Sequence, residues 1–175
     1  MSTLSPLLEQ FKVHLEGEKG ASPHTVRNYL IDLKDYERYL VERMKLSLLA
    51  GTHAAIRGYL GTLAVDHAPT SRARRLASIK SFYKYLVRQK LLSASPAKLV
   101  KSPKLPKSLP KVLPVEEVFA ILDMPDVDTV LGLRDKAILE MLYGGGLRIS
   151  ELCGLDLLGV DRSSRIVRVM GKGSK

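Results

Sequence analysis

The chain has 175 residues, enough for one sizeable core or two small domains, and its 45% hydrophobic and 26% charged composition is that of a globular protein. A formal charge of +10 and a pI near 9.8 favour a polyanionic partner, either nucleic acid or an anionic membrane surface. No apolar run approaches the ~20 residues of a membrane span, the opening MSTLSPLLEQFKVHLEGEKG has no signal-peptide pattern, and the lone Cys153 excludes an internal disulfide, so the cytoplasm is the expected location.

From the amino terminus the pattern is helical. Residues 3–17 and 24–43 carry apolar residues at three- and four-residue spacing, the second as Val26, Tyr29 and Leu30, Leu33, Tyr36 and Leu40. Ser22 followed by Pro23 reads as an N-cap and first helical position. Residues 52–65 predict a third helix and residues 70–90 a fourth, with Thr70 as its N-cap. Four helices with short loops predict a compact bundle.

The charge is concentrated in one place. Between Asp66 and Glu116 the chain has no acidic residue, yet that stretch carries twelve basic ones. On the fourth helix, at about 100° per residue, Leu76, Ile79, Phe82, Tyr83, Leu86 and Val87 fall on one face. Arg74, Lys80, Lys84 and Arg88 gather on the other, with the small Ala77 and Ser81 among them. A cationic stripe interleaved with small residues suits a helix lying close to phosphates.

The segment 93–114, SASPAKLVKSPKLPKSLPKVLP, holds five of the nine prolines, so neither a helix nor a central strand is expected through it. Lys98, Lys101, Lys104 and Lys107 recur every third residue. In a polyproline II conformation, with three residues per turn, they would project to one side as a cationic strap.

Downstream, PVEEVFAIL predicts a short helix with two carboxylates in its first turn, where the helix dipole favours them. A longer helix over 129–143 should turn Val130, Leu133, Ala137, Ile138, Met141 and Leu142 inward, and Gly144 to Gly146 should stop it. A short helix begins at Arg148. Cys153 within it reads as a small buried side chain. Ile166, Val167 and Val169 have strand propensity beside a DRSSR turn. Residues 115–175 therefore read as the beginning of an α+β domain. No metal-ligand cluster is apparent among the histidines, cysteine and carboxylates.

These residues resemble the tyrosine site-specific recombinases of the phage-integrase family, and most closely their Xer-type members. SPHTVRNYLIDLKDYERYL resembles the second helix of the family's core-binding domain. SRARRLASIKSFYKYLVRQKLLSASPAKLVKSPKLPKSLPKVL resembles its fourth helix and interdomain linker. LRDKAILEMLYGGGLRISELCGLDL resembles the start of the catalytic domain, and VRVMGKGSK its β-hairpin. The resemblance implies a mainly α fold: a four-helix, SAM-like core-binding domain over 1–92, a basic linker over 93–114, and over 115–175 the amino-terminal part of an α+β catalytic domain.

It also implies an activity. Family members cut DNA with a tyrosine that forms a 3′-phosphotyrosine bond, and exchange strands without metal or high-energy cofactor. Arg148, in GLRISEL, matches the first catalytic arginine, and Lys172, in GKGSK, the catalytic lysine of the hairpin. A guanidinium suits the non-bridging oxygens of the transition state, and an ammonium suits protonation of the leaving 5′-oxygen. The DNA-contacting set carried by the resemblance and the charge pattern is Thr25, Arg27, Asn28, Arg72, Arg74, Arg75, Lys80, Lys84, Arg88, Lys101, Lys104 and Lys107.

The implied partners are duplex DNA, homologous recombinase subunits in a tetrameric synapse and a DNA translocase, and the implied role is resolution of chromosome dimers. The family's second arginine and tyrosine nucleophile belong further along than Lys175. The 175 residues are therefore expected to be inactive alone: either the amino-terminal part of a recombinase, or a DNA-binding module that occupies recombination sites without catalysis. His24 and Arg27 spell a His-x-x-Arg element, but at the start of a bundle helix they are not expected to be catalytic. The seven tyrosines read mostly as core or half-core residues.

Overall fold

The computed structural model describes residues 5–104 and 112–169. The chain divides into two compact units, Met1–Lys107 and Ser108–Lys175.

The first unit is the expected bundle. α1 (Pro6–Glu16) and α2 (Pro23–Tyr39) each begin on a proline, whose fixed φ suits the first helical position. Ser22 caps α2, its Oγ accepting from the Thr25 N–H at 3.3 Å. The last turn of the expected second helix differs: Leu40–Met44 is a π turn, and Lys45 closes it in the left-handed region at φ 55°. α3 (His53–Thr62) is capped by Thr52, which accepts from the Ala55 N–H at 3.1 Å. α4 (Pro69–Arg88) starts one residue before Thr70, with Ala68 as its N-cap. Pro69 takes the first helical position, where its missing N–H costs nothing, so the expected Thr70 cap is replaced.

The core is aromatic and aliphatic. Leu8, Phe11 and Leu15 of α1, Leu33 and Tyr36 of α2, and Leu76, Ile79, Phe82, Tyr83 and Leu86 of α4 are all buried together. Phe11 and Phe82 meet edge to face at 5.3 Å. Tyr36 and Tyr83 share a hydrogen bond at 3.2 Å, and the Tyr83 hydroxyl donates to the Leu48 carbonyl at 2.9 Å. Val87, expected on this core face, is only half-buried.

The segment after α4 is not a free strap at its start. Residues 96–99 form a turn, and Ala97 and Val100 lie in the bundle's core at 0% and 3% exposure. Two apolar side chains at three-residue spacing found a place to pack, and the backbone closed around them: Val100 N–H donates to Ala97 O at 3.3 Å. Lys98 therefore sits in a turn rather than in a polyproline run.

In the second unit α5 (Val115–Leu122) leads to α6 (Val130–Tyr143), capped by Thr129, whose Oγ1 accepts from the Gly132 N–H at 3.0 Å. Lys136 ties the two helices by donating to the Leu122 carbonyl and to Asp123, each at 2.8 Å. The expected inward face of α6 is not covered: Val130 and Leu133 are 83% and 56% exposed and Ala137 is exposed, while Ile138, Met141 and Leu142 are half-buried. A helical period supplies a stripe, and only a facing surface buries it.

The glycine triplet ends α6 as expected. A Cβ on Gly145 would lie 2.7 Å from the Met141 carbonyl, and Gly146 has φ +62°, so both positions require glycine. α7 (Ile149–Cys153) follows, with Arg148 as its N-cap. Cys153 is exposed, contrary to its expected burial, because this five-residue helix has no buried residue. A 3₁₀ turn (Leu157–Gly159) leads into β1 (Val160–Asp161), paired antiparallel with β2 (Ile166–Val167) in the register Val160 to Val167. Asp161 organises the intervening turn, accepting from Ser163 Oγ at 2.6 Å and from the Ser164 N–H at 3.1 Å.

Candidate nucleic-acid interface

The arginines and lysines of α4 separate into two populations. Arg75 points into the bundle, with 12% of its side chain exposed, and donates to Asp35 and to the Tyr59 hydroxyl, both at 2.8 Å. Arg74 donates to Asp32 of α2, a carboxylate with 0% exposure that also accepts from Ser78 Oγ at 3.2 Å. Burial pushes the Asp32 carboxyl above its ordinary range, and the guanidinium of Arg74 pulls it back down. Arg88 pairs with Glu18, in the turn after α1, at 2.7 Å.

The expected stripe is thus partly neutralised. Arg75, expected at a phosphate, is turned inward as a tie to Asp35 and Tyr59, and Arg88 faces a carboxylate. The acid-free run from Asp66 to Glu116 is real along the chain, but Asp32, Asp35 and Glu18 reach it from α1 and α2.

Lys80 and Lys84 have no ion pair or hydrogen bond among the described residues. They line a groove together with Lys98, over a floor that includes Val87 and Ala94. Among the described residues no carboxylate lines it. The turn at 96–99 that removed Lys98 from the strap is what brings it beside the two α4 lysines. An apolar floor carrying three ammonium groups is a surface on which a phosphate chain can lie.

A second basic cleft lies at the start of α3. His53 and Arg57 line it with Arg72 of α4 and with Lys101, again without a carboxylate. The Nε of Arg72 is buried there without a hydrogen-bond partner among the described residues. Lys98 and Lys101 thus face different grooves, so the expected one-sided row is not formed. Lys104 is exposed, and Lys107 lies outside the described residues. His53 and Arg57 were not part of the sequence-derived set. Their signal was a first-turn histidine and an arginine four residues on, sharing one face of α3.

At the start of α2, Arg27 and Asn28 are exposed but diverge. Arg27 lines a groove with Lys12 and Glu16 of α1, whereas Asn28 lies one turn before Asp32, toward α4. Thr25 is half-buried, with its hydroxyl 3.0 Å from Ser22 Oγ.

In the second unit Arg148 is held from within its own helix. Its backbone N–H donates to Glu151 Oε2 at 2.9 Å, and its guanidinium donates to Glu151 Oε1 at 2.6 Å. These bonds hold the Glu151 carboxyl below the ordinary glutamate range. The Arg148 side chain remains 75% exposed, and Glu151 takes one of its five N–H donors. Glu151 was also absent from the sequence-derived set, although its three-residue spacing from the N-cap was a readable capping signal. Lys172 lies outside the described residues.

Four of the described tyrosines are poorly placed to act as nucleophiles. Tyr36, Tyr59, Tyr83 and Tyr85 are buried, and burial pushes each phenol above its ordinary range. Tyr143 is 52% exposed at the end of α6. No described helix is long and apolar enough to cross a membrane.

Comparison with known proteins gives a consistent result. The family model "Phage integrase, N-terminal SAM-like domain" matches residues 8–90, and "Phage integrase family" matches residues 111–175. Tyrosine recombinase XerC of Myxococcus xanthus is 88% identical over all 175 residues, which span 58% of that relative's length. XerC of Pelobacter propionicus is 40% identical over 98% of the chain and 59% of its own length. XerD of Proteus mirabilis is 41% identical over 97% of the chain and 54% of its own. Among solved structures, a lambda integrase dimer bound to a COC′ core site shares the fold with a TM-score of 0.73 at 16% identity, covering 99% of this chain and 47% of that one. The integrase of mycobacterium phage Brujita gives 0.55 at 18% identity, covering 97% of this chain and 55% of that one.

Proposed function

This chain belongs to the phage integrase family and is Xer-like, and from that premise we propose that it grips duplex DNA and presents the first phosphate-binding arginine of a tyrosine recombinase. In this reading residues 1–92 are the core-binding domain, 93–114 the linker and 115–175 part of the catalytic domain. The observation that carries the reading is the convergence of Lys80, Lys84 and Lys98 on one carboxylate-free groove. The cleft of His53, Arg57, Arg72 and Lys101 adds a second phosphate contact.

Arg148 then binds the non-bridging oxygens of the scissile phosphate, with its backbone and one edge already fixed by Glu151. A preorganised guanidinium spends no reorganisation energy as charge develops on those oxygens. Lys172 donates a proton to the 5′-oxygen as the tyrosine oxygen displaces it at phosphorus. Resolution of chromosome dimers in the cytoplasm, within a synapse of recombinase subunits assisted by a DNA translocase, completes the proposal.

Fluorescence anisotropy of a labelled duplex, titrated at several salt concentrations, tests the DNA-binding part. Affinity should fall steeply as salt rises, because each neutralised phosphate releases counterions. Affinity that barely responds to salt contradicts it.

A further inference from the structure

We infer that Arg74 reads a base rather than a phosphate: buried Asp32 locks its guanidinium so that the outward edge meets a guanine in the major groove. The inference rests on the DNA-binding reading above and narrows it to one side chain.

Adjacent Arg74 and Arg75 have opposite fates. Arg75 is turned inward, donates to Asp35 and Tyr59, and sets its Nε 3.9 Å from Asp32 as well. Arg74 stays at the rim with 45% of its side chain exposed, while its partner Asp32 is wholly buried. A carboxylate in the interior is costly unless paired; Asp32 Oδ2 accepts from both Arg74 and Ser78, while Oδ1 has no hydrogen bond among the described residues and lies 3.9 Å from Arg75 Nε. The pairing tethers one guanidinium nitrogen of Arg74 to the buried carboxylate and so restricts the side chain.

That restraint matters because of what remains free. A guanidinium carries five N–H donors in a planar fork, and Asp32 engages one nitrogen of it. An outward pair of N–H groups is the geometry that matches O6 and N7 of guanine. A flexible side chain would lose rotamer freedom on making the same contact, and Arg74 has already lost it in the fold. Lys80 and Lys84, without an ion pair or hydrogen bond among the described residues, have the opposite character: compact charges suited to a phosphate backbone.

The neighbourhood fits base edges. Asn28, one turn before Asp32 on α2, is exposed, and an amide matches adenine. Ala77, one turn beyond Arg74 on α4, is exposed and small enough to admit a close approach.

The competing account makes Arg74 solely a tie between α2 and α4. Selection of the 175-residue chain against a duplex library with randomised positions separates the two, using the unmodified chain, Arg74→Lys and Asp32→Asn. The unmodified chain should enrich a G·C pair at one position. Arg74→Lys should keep its salt dependence but lose discrimination at that position by about tenfold or more. Asp32→Asn, which frees the guanidinium without changing its shape or charge, should relax the same position. If Arg74→Lys loses its helical circular dichroism, Asp32→Asn decides alone.

A folded Arg74→Lys chain with the unmodified preference overturns the inference, and so does an unmodified chain that binds duplex without favouring guanine anywhere. Failure of the unmodified chain to retain any duplex at low salt overturns the DNA-binding reading itself, and this inference with it.

Discussion

Arg148 and Glu151 hold each other twice, the backbone N–H of the arginine on one carboxylate oxygen and its guanidinium on the other. The pair starts α7 and aims the side chain in one stroke. Because the bonds lower the Glu151 pKa from its ordinary 4.5, they favour the folded helix above that value and are lost as pH falls through the folded pKa. A carboxylate titration followed by NMR should therefore give a Glu151 midpoint below 4.5. Glu151→Gln should speed amide exchange in residues 149–153 at neutral pH. An ordinary midpoint and unchanged exchange would remove the positioning role.

The buried Asp32 gives a pH-dependent stability prediction. Arg74→Ala leaves the Asp32 carboxylate in the core with Ser78 as its hydrogen-bond partner and only the more distant Arg75 Nε, at 3.9 Å, opposing its charge, and should cost about 1–3 kcal/mol at pH 7. Burial already raises the Asp32 pKa above 3.8 with the arginine present, so removing the arginine raises it further. An acid with a raised folded pKa is stabilised by protonation, and the deficit should shrink as pH falls toward the carboxylate range. Urea unfolding at pH 7 and pH 4 measures it. An equal deficit at both would show that Asp32 is not the group responsible.

Val100 tests whether the segment after α4 belongs to the bundle. It is 3% exposed, and Val100→Ala removes two methyl groups, an expected loss of about 2 kcal/mol including the cavity. Val112, 85% exposed, should tolerate the same change with a loss under about 0.5 kcal/mol. Thermal or urea unfolding that ranks the two variants equally would contradict the packing.

Burial of four phenols leads to a negative prediction. Incubation with a nicked duplex substrate that traps covalent intermediates should yield no tyrosyl–DNA adduct at Tyr36, Tyr59, Tyr83 or Tyr85, since these are enclosed and their pKa values raised. An adduct on denaturing gels, mapped to any of them, would require the bundle to open.

What was legible in the sequence was what short-range chemistry controls. Ser22 and Pro23 start α2, the glycines stop α6, and the DRSSR turn joins two strands, because caps, φ restrictions and turn hydrogen bonds act over a few residues. The bundle core on α4 followed from periodicity alone. The site was less legible because charge was counted along the chain. Arg74, Arg75 and Arg88 looked unopposed until Asp32, Asp35 and Glu18 arrived from helices distant in sequence. Proline content likewise described the linker as extended but could not show that Ala97 and Val100 would find the core. The lysine groove is a product of that same fold-back, and no linear motif encodes it.

The lysine groove is also the point at which the account is most exposed. Replacing Lys80, Lys84 and Lys98 together by alanine, with helicity verified by circular dichroism, should reduce the slope of log affinity against log salt by about 2.7 for duplex DNA and weaken binding strongly at low salt. A triple variant that binds with the unmodified slope and affinity would contradict the groove as the seat of DNA binding.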